Sequence, residues 1–264
     1  MNPRALIDTA MRETDPIILG PQLYPVKSDP ARAWLRLTEV KIPASAPLLT
    51  MTDDPGRAAI DLLRTRVTRQ MRKDGLRRLA LTSPTRGCGT TLLAASLALS
   101  MSKRIDLKVI LFDMNLRAPT LAHLFGLAPI APRQSALAGV RRAFDNDCVR
   151  IGHNLGLSLS THPELSPAEL MGTSRSRALI EQIEREFEPD LMIFDMPPVL
   201  PNDDVVAAAD LFEAALLVAR ADHSTLDQID RAERLIGEQK PCLGVIMNAC
   251  RFPTQSELGD ERAA

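Results

Sequence analysis

The sequence predicts an α/β domain on a doubly wound, mostly parallel sheet, and three observations carry that prediction. Short, continuously apolar runs alternate with longer segments of helical periodicity, as expected for strands buried on both faces by crossover helices. Three of the runs end in chemistry: 77–83 runs into a glycine-containing loop, 109–112 precedes Asp113, and 191–194 precedes Asp195. Finally, 264 residues, 45% hydrophobic and 25% charged, suffice for one full core and a further segment.

In order along the chain, residues 1–50 read as a Pro-rich arm or linker. Eight of the twenty prolines fall in the first 55 residues, along with Trp34 and Tyr24, and each proline removes a backbone donor and interrupts helix. Trp34, Leu37 and Ile42 could still dock on the domain. Ile60, Leu63, Val67 and Met71 recur every three or four residues, the face of a helix over 57–71. Strands follow at 77–83, 107–113, 155–161, 191–195, 214–219 and 242–248. Helices are expected at 90–103, 166–187 (Ser166 as cap, Pro167 in the first turn) and 224–239. These elements form one domain over 51–252, and the polar tail 253–264 is expected to fray.

Composition narrows the function. A formal net charge of −1 gives no global field for nucleic acid, so no nucleic-acid partner is expected. The 1–20 segment carries charges throughout and has no signal-peptide core, and no apolar run approaches bilayer length. A cytoplasmic protein is expected, reaching a membrane only through a partner. The four cysteines lack metal-ligand spacing, and His123 and His162 stand without companion ligands. Cys88 sits where a helix N-terminus favours a thiolate, although a tolerated small residue is the plainer reading. Nine basic residues between 57 and 86 face only Asp61 and Asp74, either a solvated face or a surface for anionic lipid or an acidic partner.

The chemistry sits at three strand ends, where α/β sheets bind ligands. Ser83-Pro84-Thr85-Arg86-Gly87-Cys88-Gly89-Thr90-Thr91 joins a strand to an Ala/Leu-rich helix. Its glycines let the backbone curl so that N–H groups and the helix dipole face a phosphate. Thr91 occupies the place of the P-loop hydroxyl that binds Mg²⁺, but the usual lysine is Thr90. Such a loop alone also fits a tight strand-to-helix turn. Asp113 can orient water or activate a hydroxyl, or simply cap a helix. Asp195, after four apolar residues, has the layout of a carboxylate that holds Mg²⁺.

Together these segments resemble the cytoplasmic kinase domain of bacterial tyrosine kinases of capsule and exopolysaccharide assembly. The resemblance spans about 50–248 and rests on ordered motifs. They are Leu63-Arg64-Thr65, Thr82-Ser83-Pro84, Asp113-Met114-Asn115-Leu116-Arg117-Ala118-Pro119, Asp195-Met196-Pro197-Pro198 and Gly244-Val245-Ile246-Met247-Asn248. It implies an ATP or ADP site with Mg²⁺, formed by Gly87, Cys88, Gly89, Thr90 and Thr91. Asp113 takes the catalytic role, Thr91, Asp113 and Asp195 face the metal, and Asn248 lies near the base. It also implies an inner-membrane polysaccharide co-polymerase, of the chain-length and export type, as partner.

The departures from the family are as informative as the matches. Neither Thr90 nor Thr85, where related ATPases carry lysines, supplies a positive charge. Losing one such stabiliser costs on the order of 10²–10³ in rate, and Arg86, beside the loop, is a poor geometric replacement. Asn115 replaces the second acid of the Asp113 motif. The Glu-x-x-Arg-x-x-Arg pattern of the family's oligomerisation helix reads Ala58, Asp61 and Arg64. Tyr24 is the only tyrosine, so the family's tyrosine cluster has no counterpart. The expectation is a catalytically impaired member acting as a regulatory partner. The alternatives are an active tyrosine kinase or slow ATPase, and a positioning ATPase of the partition and septum-site kind.

Overall fold

A computed structural model describes residues 29–50, 54–127 and 148–250. Tyr24, the expected tail 253–264 and part of the expected arm lie outside them. Eight strands form one sheet: β1 (Thr38–Val40), β2 (Arg78–Thr82), β3 (Val109–Asp113), β4 (Cys148–Ile151), β5 (Leu155–Ser158), β6 (Leu191–Asp195), β7 (Ala214–Arg220) and β8 (Cys242–Asn248). Their order is β1-β4-β5-β3-β6-β2-β7-β8. Every neighbouring pair is parallel except β4–β5. The predicted doubly wound class is the one observed.

The apolar runs explain the two layers. Along β3, Val109 and Leu111 enter one core while Ile110 and Phe112 enter the other, the period of two that a strand imposes. β2 and β6 divide the same way, with Leu79, Leu81 and Ile193 against Ala80, Met192 and Phe194. Because both faces need covering, alternation of apolar with polar residues is absent, as in buried parallel strands. One face carries α3 (Asp54–Asp74) and α4 (Thr90–Ser102). The other carries α7 (Ser174–Phe187) and α9 (Leu226–Gly237).

Four expectations need correction. The segment 29–50 is not an arm but part of the fold, contributing α1 (Pro30–Arg36), β1 and α2 (Pro47–Thr50). Asp29 caps α1, its carboxylate accepting from the amides of Ala31 and Arg32. Proline is tolerated here because it stands at the first helical position, where its missing N–H is not needed. Trp34 anchors the segment: its indole N–H donates to the Phe187 carbonyl at 2.9 Å, and its ring meets the Phe187 ring edge-on at 5.9 Å. Tertiary burial of Trp34, Leu37 and Leu48 outweighs the proline spacing.

Second, the helix expected over 166–187 is two, α6 (Pro167–Met171) and α7, broken at Gly172–Thr173. The Ser166 side chain makes no cap bond; Thr173 caps α7 instead, accepting from the Ser176 amide at 3.1 Å. Third, α9 starts later than expected. Thr225 and Gln228 form a reciprocal capping box, while the Ser224 hydroxyl accepts from the Arg220 amide at 3.0 Å. Fourth, the strand expected over 155–161 stops at Ser158, and β4 pairs with it antiparallel. Two short helices, α5 (Leu121–Leu124) and α8 (Asp204–Ala207), and a 3-10 turn at Ala208–Leu211 complete the described elements.

Candidate functional site

Parallel pairing places the carboxyl ends of β2, β3, β6, β7 and β8 on one edge of the sheet. The loop after β2 emerges there, flanked by β6 and β7. Gly87 and Gly89 adopt φ of 82° and 83°, the left-handed region where a side chain would be strained. Gly89 is also the N-cap of α4, so the unpaired N–H groups of that helix start at the loop. A Cβ at Gly89 would run into the Asn248 side-chain amide.

The loop is held from the side of β7 and β8. The Asn248 amide donates to the Cys88 carbonyl at 2.8 Å. Arg220 Nη1 donates to the Gly87 carbonyl at 3.1 Å. His223 Nε2 lies 3.0 Å from the Arg86 carbonyl, which can only accept, so that nitrogen carries the proton. The Cys88 thiol is buried, 3.5 Å from the Ser224 hydroxyl and 3.2 Å from the Thr85 carbonyl. From the β6 side, the amides of Met196 and Val199 donate to the Leu81 and Ser83 carbonyls, both at 2.9 Å.

Asp113 and Asp195 are register partners on adjacent strands and are buried, at 3% and 0% exposure. One oxygen of Asp113 accepts from the Leu121 amide at 3.1 Å. Its other oxygen and both oxygens of Asp195 have no hydrogen-bond partner. Burial pushes Asp195 up to about 7, opposed by the nearby Thr91 hydroxyl. Burial and then the Asp195 charge raise Asp113 well above the carboxylate range, against the amides of Leu121, Thr120 and Asn115.

Orphaned anionic oxygens beside a hydroxyl fit a hard divalent cation. Among the described residues no three His, Cys, Asp or Glu side chains converge on a metal site. The remaining ligands would therefore be water or phosphate oxygens, as Mg²⁺ prefers. The structure thus brings the loop, Thr91, Asp113 and Asp195 together. Thr90 is 8% exposed and brings no charge. Asn248, expected near a base, has its amide on the loop itself.

Arg117 serves the frame. Its guanidinium grips the fully buried Asp204 with Nε at 2.6 Å and Nη2 at 2.9 Å, a bidentate pair that fixes the turn after Asp113 against α8. Arg64 is likewise committed, donating to Asp61 and to the Ser100 carbonyl and hydroxyl at 3.0–3.2 Å. It joins α3 to α4. Of the other basic residues in that stretch, Arg78 pairs with Glu213, whereas Arg66, Arg69, Arg72, Lys73 and Arg77 are exposed. Sequence reading missed Asp204, Arg220, His223 and Ser224. For Arg220 a signal existed: a cation directly after an apolar strand, at the edge where ligands bind.

A curled loop at a helix start, beside two buried strand-end carboxylates, defines a P-loop type of α/β protein. No protein-family model matches the chain. EpsB of Ralstonia nicotianae, a candidate tyrosine-protein kinase, is 27% identical over 232 residues, covering 82% of this chain and 30% of that protein. Tyrosine-protein kinase YwqD of Bacillus subtilis is 27% identical over 196 residues, 73% of this chain and 78% of YwqD. Among solved structures, the kinase domain of the Escherichia coli tyrosine kinase ETK superposes with a TM-score of 0.67 at 25% identity. It covers 79% of this chain and 82% of that domain. The chain is similar in sequence to bacterial tyrosine-protein kinases and shares the P-loop fold of their kinase domain. It spans less than a third of the Ralstonia relative's length. The septum site-determining protein MinD of Pyrococcus horikoshii shares the fold at a TM-score of 0.54 and 16% identity. Among the described residues no helix is long and apolar enough to cross a membrane.

Proposed function

We propose that this chain is a nucleotide-binding regulatory subunit of exopolysaccharide synthesis or export, with kinase turnover strongly impaired, working beside a membrane polysaccharide co-polymerase. One observation carries the reading: the metal-facing half of the site is intact while the loop's own lysine position carries no charge. Asp113, Asp195 and Thr91 stand ready for Mg²⁺, yet Thr90, in the lysine position, is neutral and buried. The tyrosine-kinase names of the relatives support the pathway, and Asn115 in place of a carboxylate supports the impairment.

The chemistry follows from the residues. The loop amides and the start of α4 hold phosphate oxygens. Thr91, Asp113 and Asp195 would hold Mg²⁺, whose charge would offset that of the phosphates and of the buried carboxylates. Asp113 could accept a hydroxyl proton, but Thr90 supplies no charge from within the loop to the phosphates, and losing such a stabiliser costs about 10²–10³ in rate.

The test uses purified chain with labelled ATP and Mg²⁺. Binding without appreciable turnover is expected, with Thr90→Lys tightening binding and raising turnover at least tenfold. Native turnover that Asp113→Ala abolishes would instead establish a working enzyme, the reading favoured by the intact carboxylate pair. A positioning ATPase would need a cation at Thr85, which is neutral.

A further inference from the structure

We propose that Arg220 is the cation of this phosphate site, supplying from the end of β7 the charge that Thr90 lacks; the inference rests on the nucleotide-binding reading above. β7 pairs directly with β2, with Thr82 opposite Leu217, so the last residue of β7 stands beside the loop that leaves β2. Its guanidinium touches that loop, Nη1 to the Gly87 carbonyl at 3.1 Å. Arg86, the other arginine at the loop, is exposed and has no side-chain hydrogen bond or ion pair among the described residues.

Arg78 and Arg117 are matched by Glu213 and Asp204. Arg220 pairs with no carboxylate among the described residues, although Asp222 lies in the same turn. It sits at the N-terminal end of α4, where the helix macrodipole disfavours cations. His223 and Arg86 add no negative charge. A purely structural loop brace at this position is better made by a neutral amide, as Asn248 shows. An anion in the curl of the loop reverses the balance, because the helix start and the guanidinium then act on it together. A guanidinium has five N–H donors, and a single one is used on Gly87. The rest form a fork of the kind that binds phosphate oxygens.

Calorimetric titration of the full chain with Mg-ATP, Mg-ADP and adenosine tests this. Arg220→Ala is expected to weaken ATP and ADP at least tenfold while adenosine binding changes less than twofold. Arg220→Lys should recover part of the loss, and Arg86→Ala should cost less than threefold. In a Thr90→Lys background, Arg220→Ala should lose little, since one cation replaces the other. Equal weakening of adenosine and ATP would overturn the proposal and leave Arg220 as a brace of the loop. So would undiminished ATP binding by Arg220→Ala. If native protein and Thr90→Lys both fail to bind any nucleotide, the nucleotide reading itself fails, and this inference with it.

Discussion

Asp113 and Asp195 end two neighbouring strands in register, and three of their four carboxylate oxygens find no hydrogen-bond partner. Two buried anions side by side are an electrostatic load that only protons or a cation can lift. Both values are raised in the folded protein, Asp195 to about 7 and Asp113 well above the ordinary range.

The sign of the pH dependence follows. Below about pH 4 both groups are protonated, folded or unfolded, and the pair carries no penalty. As pH rises towards 7, the unfolded chain releases these protons first, so stability falls; above about 7 the Asp195 share of the loss is complete. Mg²⁺ should therefore raise the melting temperature more at pH 8 than at pH 5. Asp195→Asn should stabilise the metal-free protein at pH 8 by about 1–3 kcal/mol and abolish the Mg²⁺ effect. Thermal unfolding with Mg²⁺ or with chelator measures both.

Trp34 holds the segment 29–50 to the end of α7 through one hydrogen bond and one ring contact, both with Phe187. Trp34→Ala should cost about 3–5 kcal/mol in urea denaturation. A cost below about 1 kcal/mol would mean that 29–50 is an appendage after all.

Gly89→Ala combines two penalties, a left-handed backbone and a collision with the Asn248 amide. The backbone part costs about 1–2 kcal/mol. Asn248→Ala removes the collision but not the strain. Hence Gly89→Ala should be less destabilising in the Asn248→Ala background than in the native protein, a coupling that a double-mutant cycle in urea detects.

Arg64 and Arg66 are two residues apart on one helix and differ in commitment. Arg64→Ala breaks the joint between α3 and α4 and should cost about 1.5–3 kcal/mol. Arg66→Ala, on the exposed face, should stay within about 0.5 kcal/mol. Equal losses would refute the assignment of Arg64 as an internal tie.

The sheet was readable because its central strands are uninterrupted apolar runs, and no other periodicity competes with them. Leu191 to Asp195 is bounded in the structure where its run begins and ends. The carboxylates were readable for the same reason: a charge closing such a run stands out. β1 and β4 were not readable, since Thr38-Glu39-Val40 and Cys148-Val149-Arg150-Ile151 are short edge-side strands stabilised by partners distant in sequence. Asp204 was hidden because Asp203 precedes it. Only the fold decides which of two adjacent acids is fully buried under Arg117. The role of the Asn248 amide was equally hidden, because the Cys88 carbonyl it holds lies 160 residues away.

β8 is the last strand on its side of the sheet, with Val245 and Met247 exposed, and its final side chain reaches the loop after β2. A rim strand opens more readily than a central one, and each opening of its end would withdraw the Asn248 amide from Cys88. The lifetime of the curl is thus set at the margin of the sheet. Slowed amide exchange in 242–248 would report on occupancy of a loop whose sequence it does not share.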